Sequence, residues 1–135
     1  MSRGLRNCNP GNIRRSRVRY RGEVHPSRDA EFKQFESMAY GYRAMFVLLD
    51  TYQRRYSLCT IRQMLNRYAP PSENFTEGYI RFVSQRSGIL PDETIDSRSQ
   101  RDMIAIVAAM SEIENGVVAI RNDVEEGWKL FCSLG

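Results

Sequence analysis

Histidine, cysteine and long apolar runs are scarce in this chain, and each scarcity argues against a class of protein. His25 is the only histidine, which leaves little support for a His-based metal site or a Ser-His-Asp triad. The three cysteines are widely spaced and include no CxxC pair, so neither a disulfide framework nor a zinc site is predicted. No apolar run approaches the ~18 residues that a bilayer span needs. We therefore expect no metal, no cofactor and no membrane span.

Lysine is also rare, and the positive charge is unevenly distributed. Of the 20 basic residues only Lys33 and Lys129 are lysine, and the rest are arginine. Residues 1–28 carry a net charge of +7, whereas the remainder of the chain carries −3. Such a segment attracts anionic polymers, with nucleic acid and bacterial wall polymers as the two candidates. A solvated hairpin whose arginines serve solubility remains the alternative.

The 135 residues have the length of one domain, which we assign to residues 1–135. Residues 12–35 contain short extended segments that predict a small irregular β-hairpin, with a third short strand ending at Phe35. Helical periodicity then predicts about five helices. The first helix is expected from the N-cap Ser37 to residue 56, and the second from Thr60 to the double proline at 70–71. The third is expected from a cap at Ser72 or Asn74 to Gly88, the fourth over 102–115, and the fifth around Trp128. The fold class is therefore α+β, mainly helical.

Two features of the sequence could carry chemistry, and the first is a pair of separate stretches, an Asn-rich turn near the N-terminus and a helix end near the C-terminus. The turn sequence RNCNPGNIR offers the amides of Asn7, Asn9 and Asn12 to a ligand. The apolar helix at 102–115 ends in Glu114, where desolvation and the helix dipole both raise the pKa of a carboxyl. A carboxyl of this kind suits a general acid in glycosidic cleavage. The alternatives are a surface turn that only starts a hairpin, for the asparagines, and a solvated helix end that Asn115-Gly116 caps, for Glu114.

The second feature is the segment YAPPSENFTEGYIRFV at residues 68–83. Tyr68 and Tyr79 flank a proline turn that carries Glu73 and Asn74. Tyrosines stack on sugar faces and donate hydrogen bonds, so these four residues are candidates for substrate binding. The alternative is structural, with Glu73 complementing a helix dipole and Tyr79 packed in the core.

The blocks RNCNPGNIR, RYRG, FKQFESMAYGYRAMFVLLDTY and TIRQMLNRYAPPSENFTEGYIRFV resemble a group of small phage- and prophage-encoded proteins. These proteins are often labelled virion structural proteins and look related to lysozyme-like domains. The resemblance covers residues 3–88, with a weaker match over 103–131. It implies a lysozyme-like domain, a bacterial wall glycan as ligand and other virion proteins as partners.

A more distant similarity is to bacterial cell-wall glucosaminidases, whose Asn-rich turn, hairpin, F-x-x-Y/F-Ser segment and Tyr-Ala…Tyr block occur here in the same order. In those enzymes the catalytic glutamate lies on a helix before the Asn-rich turn, and this chain has no room for that helix. We therefore predict a circular permutant in which residues 101–116 supply the helix. Glu114 would then be the acid. A second carboxylate, for which Glu23 on the hairpin is the first choice, or a positioned water would complete the site.

Three functions follow from these observations. The first is a peptidoglycan-directed glycoside hydrolase, associated with a phage virion. The second is a non-catalytic virion protein that keeps the lysozyme-like fold for assembly or wall binding. The third is a nucleic-acid-binding protein that uses the Arg-rich segment. Residues 1–12 lack the apolar core of a secretory signal, so we expect synthesis in the host cytoplasm and, for the first two functions, incorporation into a virion.

Overall fold

The computed structural model describes residues 1–134 and confirms the predicted α+β class, mainly helical with one small antiparallel sheet. In the described residues the elements follow in the order α1 Arg3–Arg6, β1 Glu23–Val24, β2 Gln34–Phe35, α2 Met38–Tyr56, α3 Ile61–Tyr68, α4 Thr76–Ser87, α5 Gln100–Asn115 and α6 Arg121–Leu134.

Most helix ends lie where the sequence predicts them, because local capping chemistry sets them. The hydroxyl of Ser37 accepts a hydrogen bond from the Tyr40 amide at the start of α2. Thr60 caps α3 in the same way. Gly88 and Gly116 adopt φ of 76° and 74°, the left-handed conformation that ends α4 and α5.

Two details of the helices differ from the predictions. The cap of α4 is neither Ser72 nor Asn74 but Phe75, whose side chain makes no capping bond. The double proline is followed by a turn in which the Glu73 amide and the Asn74 side chain both donate to the Pro70 carbonyl, so Asn74 stabilises that turn instead of the helix. The short helix α1 was not predicted, because four residues are too few to show a helical period.

The sheet has two strands, which pair Glu23 with Phe35 and Val24 with Gln34. The segment predicted as a third strand, ending at Phe35, is thus the second strand of the hairpin. An isolated bridge between Arg14 and Phe32 extends the pairing toward the N-terminal loop.

The core lies between the helices. α6 packs along α2, α4 packs against α5, and α3 packs against α4. α5 is buried along most of its length, including Met103, Ile104, Val107 and Met110, and its C-terminal end lies beside α1. The first and fifth helices therefore meet at one edge of the core. Among the described helices, none is both long enough and apolar enough to cross a membrane.

Candidate active site

The C-terminal turn of α5 brings Glu114 into contact with the N-terminal loop. Glu114 Oε1 accepts a hydrogen bond of 2.9 Å from Asn12 Nδ2, across 102 positions of sequence. Glu114 Oε2 accepts a second bond of 2.9 Å from the Tyr79 hydroxyl on α4. Both carboxylate oxygens are thus held in place by side chains from two other parts of the chain.

Burial raises the pKa of Glu114 above its ordinary value. The hydrogen bonds from Asn12 and Tyr79, together with the positive charge of Arg14, act in the opposite direction and limit the rise. The carboxyl of Glu114 therefore keeps its proton to a higher pH than an exposed glutamate. When the proton leaves, the resulting carboxylate is stabilised by the two hydrogen-bond donors and by Arg14.

The neighbouring tyrosines stay neutral over the same range. Burial and the nearby charge of Glu114 raise the pKa of Tyr68 and the pKa of Tyr79 well above their usual value. The Tyr68 hydroxyl donates to the Gly11 carbonyl oxygen, which ties α3 to the N-terminal loop. A side chain at Gly11 would collide with that hydroxyl and with Met45, so this approach requires glycine.

The N-terminal loop is held in shape by its own asparagines. Asn9 is fully buried; its Nδ2 donates to the carbonyls of Ile13 and Lys33, and its Oδ1 accepts from the Ile13 amide. Asn7 is also buried and donates to Asp29 at 3.1 Å. We therefore reassign Asn7 and Asn9 from ligand contact to support of the loop.

A cleft of about 340 Å³ opens beside Glu114. Its wall includes loop residues 11–14, Phe32, parts of α2, and the segment that follows α3. Five of the predicted site residues line it, namely Asn12, Tyr68, Glu73, Asn74 and Glu114. Tyr79 is buried behind the wall and meets the cleft only through its bond to Glu114.

Glu23, the predicted partner of Glu114, is not among the cleft-lining residues. Its carboxylate is 3.0 Å from the ammonium of Lys33, and the side chains of both residues are almost completely buried. The Tyr20 amide donates to the same carboxylate. Glu23 thus holds the hairpin together, because a buried lysine needs an opposite charge. The second carboxylate that the structure brings to the cleft is that of Glu73.

The cleft residues that the sequence did not indicate include Arg14, Phe32 and Tyr52. Arg14 ends the NPGNIR block, so its proximity to Asn12 was a signal that could have been used. Phe32 and Tyr52 carried no such signal, because they reach the cleft only through packing of the hairpin and of α2.

Asn115 fixes the position of Glu114 from the other side. Its Nδ2 donates 2.8 Å to the Pro10 carbonyl, and its Oδ1 accepts 2.7 Å from the Ser2 hydroxyl. The last turn of α5 is therefore attached to the N-terminal loop through both Glu114 and Asn115. Within residues 1–134, no group of three or more histidine, cysteine or acidic side chains is arranged to hold a metal ion.

Comparison with known proteins gives an informative match. No protein-family model matches the chain. The chain is similar to Protein P5 of Pseudoalteromonas phage PM2, with 36% identity over 118 residues. The alignment covers 85% of this chain and 72% of the relative.

Proposed function

We propose that this chain, which belongs to the family of Protein P5 of Pseudoalteromonas phage PM2, is a phage-derived, lysozyme-like protein. In this proposal it cleaves glycosidic bonds in bacterial peptidoglycan. The observation that carries the proposal is a carboxyl with a raised pKa at the wall of a cleft, held by two donors. Glycosidic cleavage needs a protonated acid of this kind near neutral pH.

Glu114 acts as the general acid. It donates its proton to the glycosidic oxygen as the bond between that oxygen and the anomeric carbon breaks. The negative charge that remains on Glu114 is stabilised by Asn12, Tyr79 and Arg14, which already oppose its protonation. Asn12 and Tyr79 are thus positioning residues in this scheme.

A water molecule completes the reaction by adding to the anomeric carbon. Its proton passes to the carboxylate of Glu73, which is the other acidic side chain among the cleft residues. The products are two shorter glycan chains, one with a new reducing end. Tyr68 and Asn74, which also line the cleft, contact the sugar rings.

The contact between Glu114 and Asn12 supports the hypothesis of a circularly permuted lysozyme-like domain over residues 1–135. In that arrangement α5 supplies the acid that related enzymes carry before the Asn-rich turn. The proposal includes a location in the phage virion, with other virion proteins as partners and cell-wall glycan as substrate.

The proposal is tested by an activity assay on purified peptidoglycan with Glu114→Gln. We expect a loss of about 10²- to 10⁴-fold in the rate of reducing-end release, the usual contribution of a general acid. Thermal unfolding of the variant checks that the fold is retained.

The matched control is Glu112→Gln on the same helical turn. Glu112 pairs with Arg86 at 2.6 Å and does not line the cleft, so its substitution should leave the rate within a few-fold of wild type. Equal rates for wild type and Glu114→Gln would remove Glu114 from the mechanism. Binding to peptidoglycan without any release of sugar would favour the non-catalytic virion protein.

A further inference from the structure

A second groove, of about 390 Å³, lies next to the cleft and is strongly basic. Its lining includes three tyrosines and no carboxylate. Five arginines line it, namely Arg19, Arg21, Arg43, Arg55 and Arg67. The proposed cleavage of glycan does not use any of these five side chains.

Most of this positive charge is not neutralised by the protein. Arg19 lies 3.9 Å from Glu23, whereas the other four arginines form no ion pair within residues 1–134. Arg43 is only 7% exposed, and its buried Nε has no hydrogen-bond partner in the described part of the chain. Burial and the nearby Arg21 lower the pKa of Arg43. A largely buried guanidinium with no carboxylate beside it is unfavourable, and an anion bound in the groove would offset its charge.

The groove and the cleft share a wall. Leu48 and Tyr52 on α2 line both of them, so the basic groove adjoins the cleft. The guanidinium of Arg67 lies over the rings of Tyr52 and Tyr56, 5.4 Å and 3.9 Å from their centroids. This stacking orients Arg67 in the groove.

We infer that the basic groove binds the carboxylate groups of the peptides that branch from the glycan strand lying in the cleft. This inference rests on the proposed function, because it assigns a binding site to the peptide branches of the same polymer, beside the reacting sugar. Guanidinium groups bind carboxylates through paired hydrogen bonds. A groove lined by arginines and by no carboxylate is complementary in charge to such branches. It would therefore select peptide-bearing glycan.

Single-stranded nucleic acid fits the groove less well, although the charge would suit it. Sequence-independent binding of single strands depends on open aromatic faces on which bases stack. Here Tyr52 is only 7% exposed, Arg67 stacks on one face of Tyr56, and Tyr20 packs beside Phe35 and Lys33.

The experiment compares the binding of three labelled probes by fluorescence anisotropy, all in the Glu114→Gln background so that glycan is not cut. The probes are soluble peptide-bearing glycan strands, the same strands after an amidase has removed the peptides, and a single-stranded DNA oligonucleotide. The groove variant is Arg55→Gln with Arg67→Gln. The control variant is Arg101→Gln with Arg121→Gln, which also removes two positive charges but at side chains that are 96% and 67% exposed outside the groove.

We expect the parent to bind peptide-bearing strands about tenfold or more tightly than stripped strands, as two charge-assisted contacts allow. The groove variant should lose this preference and keep its affinity for stripped strands, and the control should retain the preference. Equal binding of both glycans by the parent would overturn the inference and leave the proposed cleavage intact. A preference for DNA that the groove variant abolishes would overturn it in favour of nucleic acid. Failure to bind either glycan would reject the proposed function as well.

Discussion

The setting of Glu114 suits the proposed chemistry and is unfavourable for stability. Burial of its carboxyl raises the pKa, whereas Asn12, Tyr79 and Arg14 stabilise the ionised form only in part. The folded protein therefore binds this proton more tightly than the unfolded chain does. Carboxyls whose pKa is shifted by burial and that lie at the wall of a cleft are typical of functional sites.

Glu114→Gln should consequently stabilise the protein in a pH-dependent way. Below about pH 4 the carboxyl is protonated in both states, so the variant and the wild type should differ least. As pH rises toward the raised folded-state pKa, ionisation favours the unfolded wild type, and the advantage of the variant should grow until that pKa is passed. Urea unfolding at pH 4 and pH 7 measures the difference in the free energy of unfolding between the variant and the wild type. If this difference shrinks as pH rises, the raised pKa of Glu114 is contradicted.

Tyr79→Phe removes one of the two donors to Glu114 without changing the size of the ring. The ionised form of Glu114 loses a hydrogen bond, so its pKa should rise further, and the protein should lose about 1 kcal/mol of stability. Carbon NMR of the glutamate carboxyls gives the pKa directly. Tyr56→Phe is the control, since that ring is 47% exposed and makes no contact with Glu114; an equal shift in both variants would refute the positioning role.

At the scale of elements, the site depends on how the end of α5 is attached to the N-terminal loop. Gly116 ends the helix in the left-handed conformation, so Glu114 and Asn115 occupy its last turn. Asn115 joins this turn to Pro10 and to Ser2, the N-cap of α1. The short helix α1 is thus joined to the end of α5 through Ser2, and it positions the following loop, which carries Asn12.

Asn115→Ala should loosen this junction. The Pro10 carbonyl and the Ser2 hydroxyl would lose their partner, and an unsatisfied, partly buried polar group typically costs about 1–3 kcal/mol. We expect a loss of stability in this range and a loss of cleavage, both measured on the purified variant. Asn66→Ala is the matched control, because the Asn66 side chain is exposed and bonds only within its own helix. Equal losses in the two variants would show that the junction has no special role.

For the whole molecule, short-range patterns predicted the elements and much of the cleft. Caps such as Ser37 and Gly116 and the apolar period of α5 are local signals, and they predicted helix positions well. The approach of Glu114 to Asn12 was predicted from the resemblance to wall-cleaving enzymes, since no local pattern links residues 102 positions apart.

The parts that could not be predicted depend on packing across the chain. Glu23 was assigned to the site by its position on the hairpin, but the buried ammonium of Lys33 engages it. Lys33 is one of two lysines in an arginine-rich chain, and nothing in the sequence shows that it is buried. The basic groove could not be predicted either, because its arginines come from the segment before β1, from α2 and from α3, and only the fold brings them together.

Product analysis in water enriched in oxygen-18 tests the central claim most directly. The wild-type protein and Glu114→Gln are each incubated with purified peptidoglycan, and the released fragments are analysed by mass spectrometry. If Glu114 promotes hydrolysis, wild-type fragments carry one oxygen-18 at each new reducing end, and the variant releases few or none. Equal labelled release by both proteins, or no release of fragments by the wild type, would contradict the account.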